Sequence, residues 1–259
     1  MTGPTFAGPG GLRGSRSLTG PATLGFALNR RRWLAAVATA ALASLVLLPL
    51  APALLADGLP VGAPTRIADA RLAGPRGPEC LRLVVAPDRS GSMEQYSAAR
   101  DSALKLLLPW ARTQLRADDE VAVIEWADRT AVVLAPTPVG AAATSGSTGP
   151  GLGTGTHLAA LVAAVATLAR TTCRTQLVLI SDGEAADLPD SADLSRLAPA
   201  GIDVVTLLMP APGMRAPRAF TQALPYARAS AFNGLDPQDT ALALARTIAS
   251  TTGQRIERR

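Results

Sequence analysis

The 259 residues, 48% apolar and 17% charged, permit one ordinary domain with a further segment attached. The formal net charge of +5 invites a nucleic-acid reading, yet Arg13, Arg16, Arg30, Arg31 and Arg32 account for all of it and leave 20 basic against 20 acidic residues. A surface that tracks phosphates needs basic residues clustered on the folded domain. Here they are spread among carboxylates, which excludes nucleic acid as a partner.

Residues 1–32 carry Gly, Pro, Ser and Thr without apolar periodicity and are expected to form a disordered cytoplasmic tail. From Trp33 to Ala56 run 24 residues without a charge. At a rise of about 1.5 Å per residue they are enough to cross a hydrocarbon core of about 30 Å. The three arginines stand immediately before this run and no acidic residue precedes Asp57. This predicts a transmembrane signal anchor over 33–56, with the N-terminus cytoplasmic and the rest of the chain extracytoplasmic. Pro49, Pro52 and the stretch Ala51-Pro52-Ala53 leave cleavage open, which would make the protein secreted. The run exceeds the roughly 7 to 15 apolar residues usual in signal peptides, which favours retention. Arg30-Arg31-Arg32-Trp33-Leu34 also fits a twin-arginine export signal. Residues 57–78, rich in Pro and Gly, read as a linker to a domain over 79–259.

The apolar run Leu81 to Ala86 reads as a strand over 81–87 and passes directly into Asp88-Arg89-Ser90-Gly91-Ser92-Met93. One carboxylate and two hydroxyls on a tight loop suit a hard cation, Mg²⁺ or Mn²⁺, better than a soft one. The same pattern is also that of a capped helix start, with Asp88 or Ser92 satisfying free backbone N–H groups. Met93 to Arg116 is predicted helical, with Pro109 kinking or ending its first part near Leu107. Further strands are expected at 120–127, 130–136, 176–181 and 202–209. Only Asp128 and Arg129 join the second and third of the five, so that pair must be antiparallel and the third lies at an edge.

After a stretch rich in Gly, Ser and Thr from Val139 to Gly155, Thr156 opens a helix whose Leu158, Leu161, Val162, Val165 and Leu168 fall on one face. The apolar strand Leu177 to Ile180 leads into Ser181-Asp182-Gly183-Glu184. Later helices are expected near 217–227 and 237–250, the latter with Asp236 as N-cap before Pro237. Strands alternating with amphipathic helices predict an α/β fold, doubly wound and mostly parallel, with one antiparallel edge strand.

Asp88, Ser90 and Ser92, then Thr156 at a loop-to-helix junction, then Asp182 after a buried strand, stand in an order that resembles the von Willebrand factor A (VWA) family and its metal-ion-dependent adhesion site. The resemblance covers about residues 79–251. It implies a Rossmann-like sheet, with Ser90 and Ser92 as direct ligands of a Mg²⁺ or Mn²⁺ ion and with Thr156, Asp88 and Asp182 binding directly or through water. It also implies a partner protein whose Asp or Glu carboxylate completes the coordination. Pro87, Arg89 and the Gly-rich stretch depart from the family pattern.

Cys80 lies eight residues before Asp88 and Cys173 nine before Asp182. If the two aspartates end neighbouring parallel strands, the cysteines begin them at a spacing near that of a disulfide, and an extracytoplasmic location permits the bond. Two unpaired buried cysteines are the alternative.

Catalysis finds no support. No Lys follows Lys105, so the Gly-rich stretch is no phosphate-binding loop. His157, the single histidine, reads as an exposed polar residue. Glu125 and Glu184 are expected to be solvated or to lie behind the ligands. The favoured function is a membrane-anchored extracytoplasmic binding module. The other possibility is a structural subunit of a larger complex, of the kind that accompanies MoxR ATPases or metallochelatases, whose partners are usually cytoplasmic.

Overall fold

The computed structural model describes residues 62–143, 151–197, 201–224 and 226–259, all within the compact unit Leu59–Arg259. The expected tail, 1–32, and anchor, 33–56, lie outside the described residues. Among the described residues no helix is long and apolar enough to cross a membrane.

Two strands pair apart from the main sheet, β1 (Ala70–Ala73) with β8 (Arg255–Arg258), antiparallel. The main sheet contains β2 (Leu81–Pro87), β3 (Glu120–Trp126), β4 (Thr130–Pro138), β5 (Arg174–Ile180), β6 (Ile202–Met209) and β7 (Arg228–Ala231). Their order is β4-β3-β2-β5-β6-β7, and only β4 runs antiparallel, paired with β3 across the Asp128–Arg129 turn. The expected doubly wound sheet with one antiparallel edge is therefore present. From β2 the chain winds outward to β3 and β4 on one side and to β5, β6 and β7 on the other. The switch point lies between the carboxyl ends of β2 and β5, where open parallel sheets bind ligands.

Every residue of β2 is buried, as a central parallel strand with both faces covered requires. Leu81, Leu83 and Val85 join a core under α1 (Ser97–Gln114) and α5 (Pro237–Thr252). Val84 and Ala86 join the opposite core with Leu158, Leu161, Val162 and Val165 of α2 (Leu158–Ala166) and Phe220 of α4 (Arg218–Ala223). Asp236 caps α5 by accepting the Gln238 N–H at 2.8 Å, with Pro237 at the first helical position, as expected.

Three expectations need correction. The linker assigned to 57–78 contains folded chain: Ile67–Asp69 form a 3₁₀ turn and β1 follows, with Ile67 and Ala70 buried in the α1/α5 core. Pro109 does not break α1, because it sits on the solvent side while Leu107, Leu108, Trp110 and Ala111 pack inward, so the backbone acceptor it leaves unused can be met by water. The helix of Thr156 ends at Ala166, before Leu168, which packs only partly against the core. The short α3 (Ser191–Ser195), β1, β7 and β8 are additions that apolar periodicity does not reveal.

Cys80 and Cys173 form a disulfide at the amino ends of β2 and β5, with Cα atoms 4.6 Å apart. The register places Leu81 beside Arg174, and the Arg174 N–H donates to the Cys80 carbonyl at 2.9 Å, so the sheet itself brings the two sulfurs together.

Candidate metal centre

Where β2 ends, the Asp88 N–H still donates to Ile180 of β5 at 3.0 Å, and the Arg89 N–H donates to Trp126 of β3 at 2.7 Å. The loop therefore leaves the sheet held from both sides. The Asp88 side chain is buried. Its Oδ1 accepts the Ser90 N–H at 2.8 Å and its Oδ2 accepts the Ser181 hydroxyl at 2.6 Å. Burial pushes this carboxyl above its ordinary pKa; hydrogen bonds from Ser181 and Ser90 oppose the shift, and the neighbouring Asp182 charge adds to it.

Ser90 is buried and Ser92 exposed, with their hydroxyl oxygens 3.3 Å apart. A 3₁₀ turn, Gly91–Tyr96, follows Ser90, and no side chain caps it. Among the described residues the capping reading of this loop thus reduces to the single bond from the Ser90 N–H to Asp88, and neither serine hydroxyl serves a backbone N–H.

Thr156 is buried and clamped on two sides. Its carbonyl accepts the Ala186 N–H at 2.8 Å, and the His157 N–H donates to Ala127 at 3.0 Å. The loop before it is tied to the serine loop by the Gly91 N–H, which donates to Thr154 at 3.0 Å. Asp128, in the β3–β4 turn, accepts the Thr154 N–H at 3.1 Å and the Gly155 N–H at 2.9 Å. That grip explains two glycines: a Cβ at Gly153 would lie 1.9 Å from Asp128 Oδ2, and one at Gly155 would lie 2.1 Å from Oδ1.

Asp182 is half-buried after β5 and accepts the Glu184 N–H at 3.0 Å. Gly183 between them has φ +79°, and a Cβ there would meet Pro217 Cδ at 2.9 Å.

The structure thus carries Asp88, Ser90 and Ser92 on the loop after β2, Asp182 on the loop after β5, and Thr156 on a loop bonded to both. Among the described residues no three His, Cys, Asp or Glu side chains gather as a metal site. The set is two carboxylates and three hydroxyls, all oxygen, which fits a hard divalent cation and not a thiolate- or imidazole-bound one. Asp88 supplies the test of fit, because a carboxylate whose charged form burial disfavours is one that a nearby cation would stabilise.

Three supporting contacts were not foreseen from sequence. Ser181 donates to Asp88 while its oxygen accepts the Gly183 N–H at 3.0 Å. Arg89 turns away from the loop to bond Asp101, at 2.8 and 3.3 Å, and Glu125, at 2.9 Å to its Nε. Arg100, almost fully buried, donates to the Asp88 carbonyl; burial first, and the Arg89 charge second, lower it to about 10. Glu125 is accordingly buried beside Arg89 and not solvated, whereas Glu184 is exposed. His157 is part-exposed between Asp128, at 3.4 Å, and Asp187, at 3.3 Å.

No protein-family model matches the sequence, and no curated protein matches it. Solved structures do. A von Willebrand factor type A protein from Catenulispora acidiphila aligns at 18% identity and TM-score 0.46, over 68% of this chain and 43% of that one. Proximal thread matrix protein 1 from the mussel byssus, in a form with a zinc-occupied MIDAS motif, aligns at 13% identity and TM-score 0.44, over 64% and 47%. BatB from Bacteroides thetaiotaomicron aligns at 15% and TM-score 0.43, over 67% and 99%. The chain spans less than half the length of the first two. At these scores no functional inference passes from the neighbours to this chain.

Proposed function

We propose that this chain is a membrane-anchored, extracytoplasmic VWA-type binding module that grips an Asp or Glu carboxylate of a partner protein through Mg²⁺ or Mn²⁺, and that it catalyses no reaction. The observation that carries the reading is Asp88, a buried carboxylate at the switch point of a parallel sheet, beside two serine hydroxyls that cap no helix among the described residues.

In this reading Asp88, Ser90, Ser92, Thr156 and Asp182 hold the ion. A bound divalent ion supplies a coordination position that neutral hydroxyls leave to an outside carboxylate. Ser181 and the Ser90 N–H orient Asp88, and Asp128 holds the loop that presents Thr156. The anchor and its direction rest on the uncharged run 33–56 and the arginines before it.

Calorimetry of Mg²⁺ into the purified full chain tests the site. Uptake is expected to be lost in Asp88→Ala and weakened in Thr156→Ala, with unchanged far-UV circular dichroism; equal binding by wild type and both variants would contradict the assignment. Protease added to intact cells is expected to digest the domain from outside, and full protection would contradict the topology.

A further inference from the structure

The two edges of the main sheet differ. β4 is long and antiparallel and carries Pro136 and Pro138, residues that discourage further pairing. β7 has neither proline nor acidic residue, only Arg228, Ala229, Ser230 and Ala231, all exposed, and among the described strands it pairs with β6 alone. The Phe232 N–H, just past the strand, donates to Met209 of β6 at 3.0 Å. In a parallel ladder alternate residues bond the same neighbour, so Ser230 and Arg228 also bond β6, and the N–H and C=O groups of Ala229 and Ala231 point outward.

Beside this edge lies a hollow of about 300 Å³ between β7 and α5. Arg228 and Arg246 line it together with Ser230 and Ser250, and no carboxylate does. The Arg228 guanidinium reaches Ser250 Oγ at 2.6 Å, which aims its charge toward α5. The nearest carboxylate partner of Arg246, Asp239, stands 3.6 Å away and already accepts the Asn233 N–H. The floor is polar where a sheet face would ordinarily be apolar: Gln176 and Thr206 are buried there, with the Gln176 amide N–H donating to Thr206 Oγ1 at 3.4 Å.

We infer that the β7 edge and this basic hollow together form a second docking site, for an extended acidic segment of a partner protein. The segment adds as a further strand to Ala229 and Ala231, and its Asp or Glu side chain enters the hollow between Arg228 and Arg246. Main-chain bonds supply affinity in such strand addition, and the pocket for an alternate side chain supplies selectivity. A second copy of this chain is the poorer occupant, because its own β7 has no carboxylate to place between the arginines.

Panning a phage library of random eight-residue peptides against the full chain tests the site. Recovered binders are expected to be enriched in Asp and Glu. They should lose affinity by about tenfold or more on Arg246→Glu, and likewise on Ala229→Pro, which removes an outward N–H without touching the β6 ladder. Mg²⁺ binding should be unchanged in both variants, which separates this site from the metal centre. If Ala229→Pro does not fold, N-methylation of alternate amides in a selected peptide tests the strand pairing from the other side. No binders, binders without acidic enrichment, or binders indifferent to both substitutions would overturn the proposal. So would dimerisation through this edge, or inorganic phosphate binding at the arginines with no peptide bound.

Discussion

The two ends of the same sheet are built on opposite principles. At the amino ends of β2 and β5 a covalent bond joins neighbouring strands, and the β1–β8 pair ties the two flanks of the domain together. At the carboxyl ends nothing is covalent. Loops after β2 and β5, and the one before α2, are held by single hydrogen bonds from backbone amides, two glycines under Asp128, and a buried carboxylate that burial makes reluctant to ionise. The covalent staple stands at the end that carries none of the five oxygen donors, and the donors stand at the other, where a cation would stabilise the buried Asp88 carboxylate.

Removing the staple should hurt stability and spare binding. The bridge closes a loop with a sequence separation of 93 residues. Replacing both cysteines by serine should therefore lower unfolding free energy by about 4 to 5 kcal/mol in the chain-entropy account, read by denaturant titration. Mg²⁺ affinity should stay within a factor of about three, since neither sulfur lies near the donors; a large loss of affinity in the still-folded variant would mean that the two ends are coupled. The converse variant, Asp88→Ala, should weaken Mg²⁺ binding by more than about a hundredfold, beyond the usual cost of losing a supporting residue.

Smaller effects sharpen the contrast. Gly155→Ala forces a Cβ onto Asp128 and displaces the Thr156 loop, so Mg²⁺ affinity should fall by about tenfold in calorimetry. Gly253, at φ +75° after α5, faces open space, and a Cβ there would meet no heavy atom within 4 Å. Gly253→Ala should cost about 1 kcal/mol of thermal stability through backbone strain alone and leave metal binding untouched.

What sequence reveals of each end follows from the physics of the signal. β2, β5 and β6 each carry an apolar stretch buried at its carboxyl-terminal half, and β3–β4 is joined by a turn too short for any other topology, so the sheet and the switch point are readable. β7, Arg-Ala-Ser-Ala, and β8, Arg-Ile-Glu-Arg, are short and largely polar; only their partners make them strands. β1 hides in a Pro- and Gly-rich stretch for the same reason. The five oxygen donors announce themselves through residue type and order. Ser181 stands one residue before Asp182 in plain view, but its bond to Asp88 joins residues 93 apart and has no local pattern. Asp128 reads as an ordinary turn residue, and the Gly-rich stretch as an anomaly, because only the fold brings the turn and the loop together. Arg89 and Glu125 are likewise joined only by the fold.

Crystals of the full chain grown with Mn²⁺ and measured at the manganese absorption edge test the central claim most directly. The expected result is one anomalous peak coordinated by oxygens of Asp88, Ser90, Ser92, Thr156 and Asp182, directly or through ordered water. A peak elsewhere, or none at saturating Mn²⁺, would contradict it.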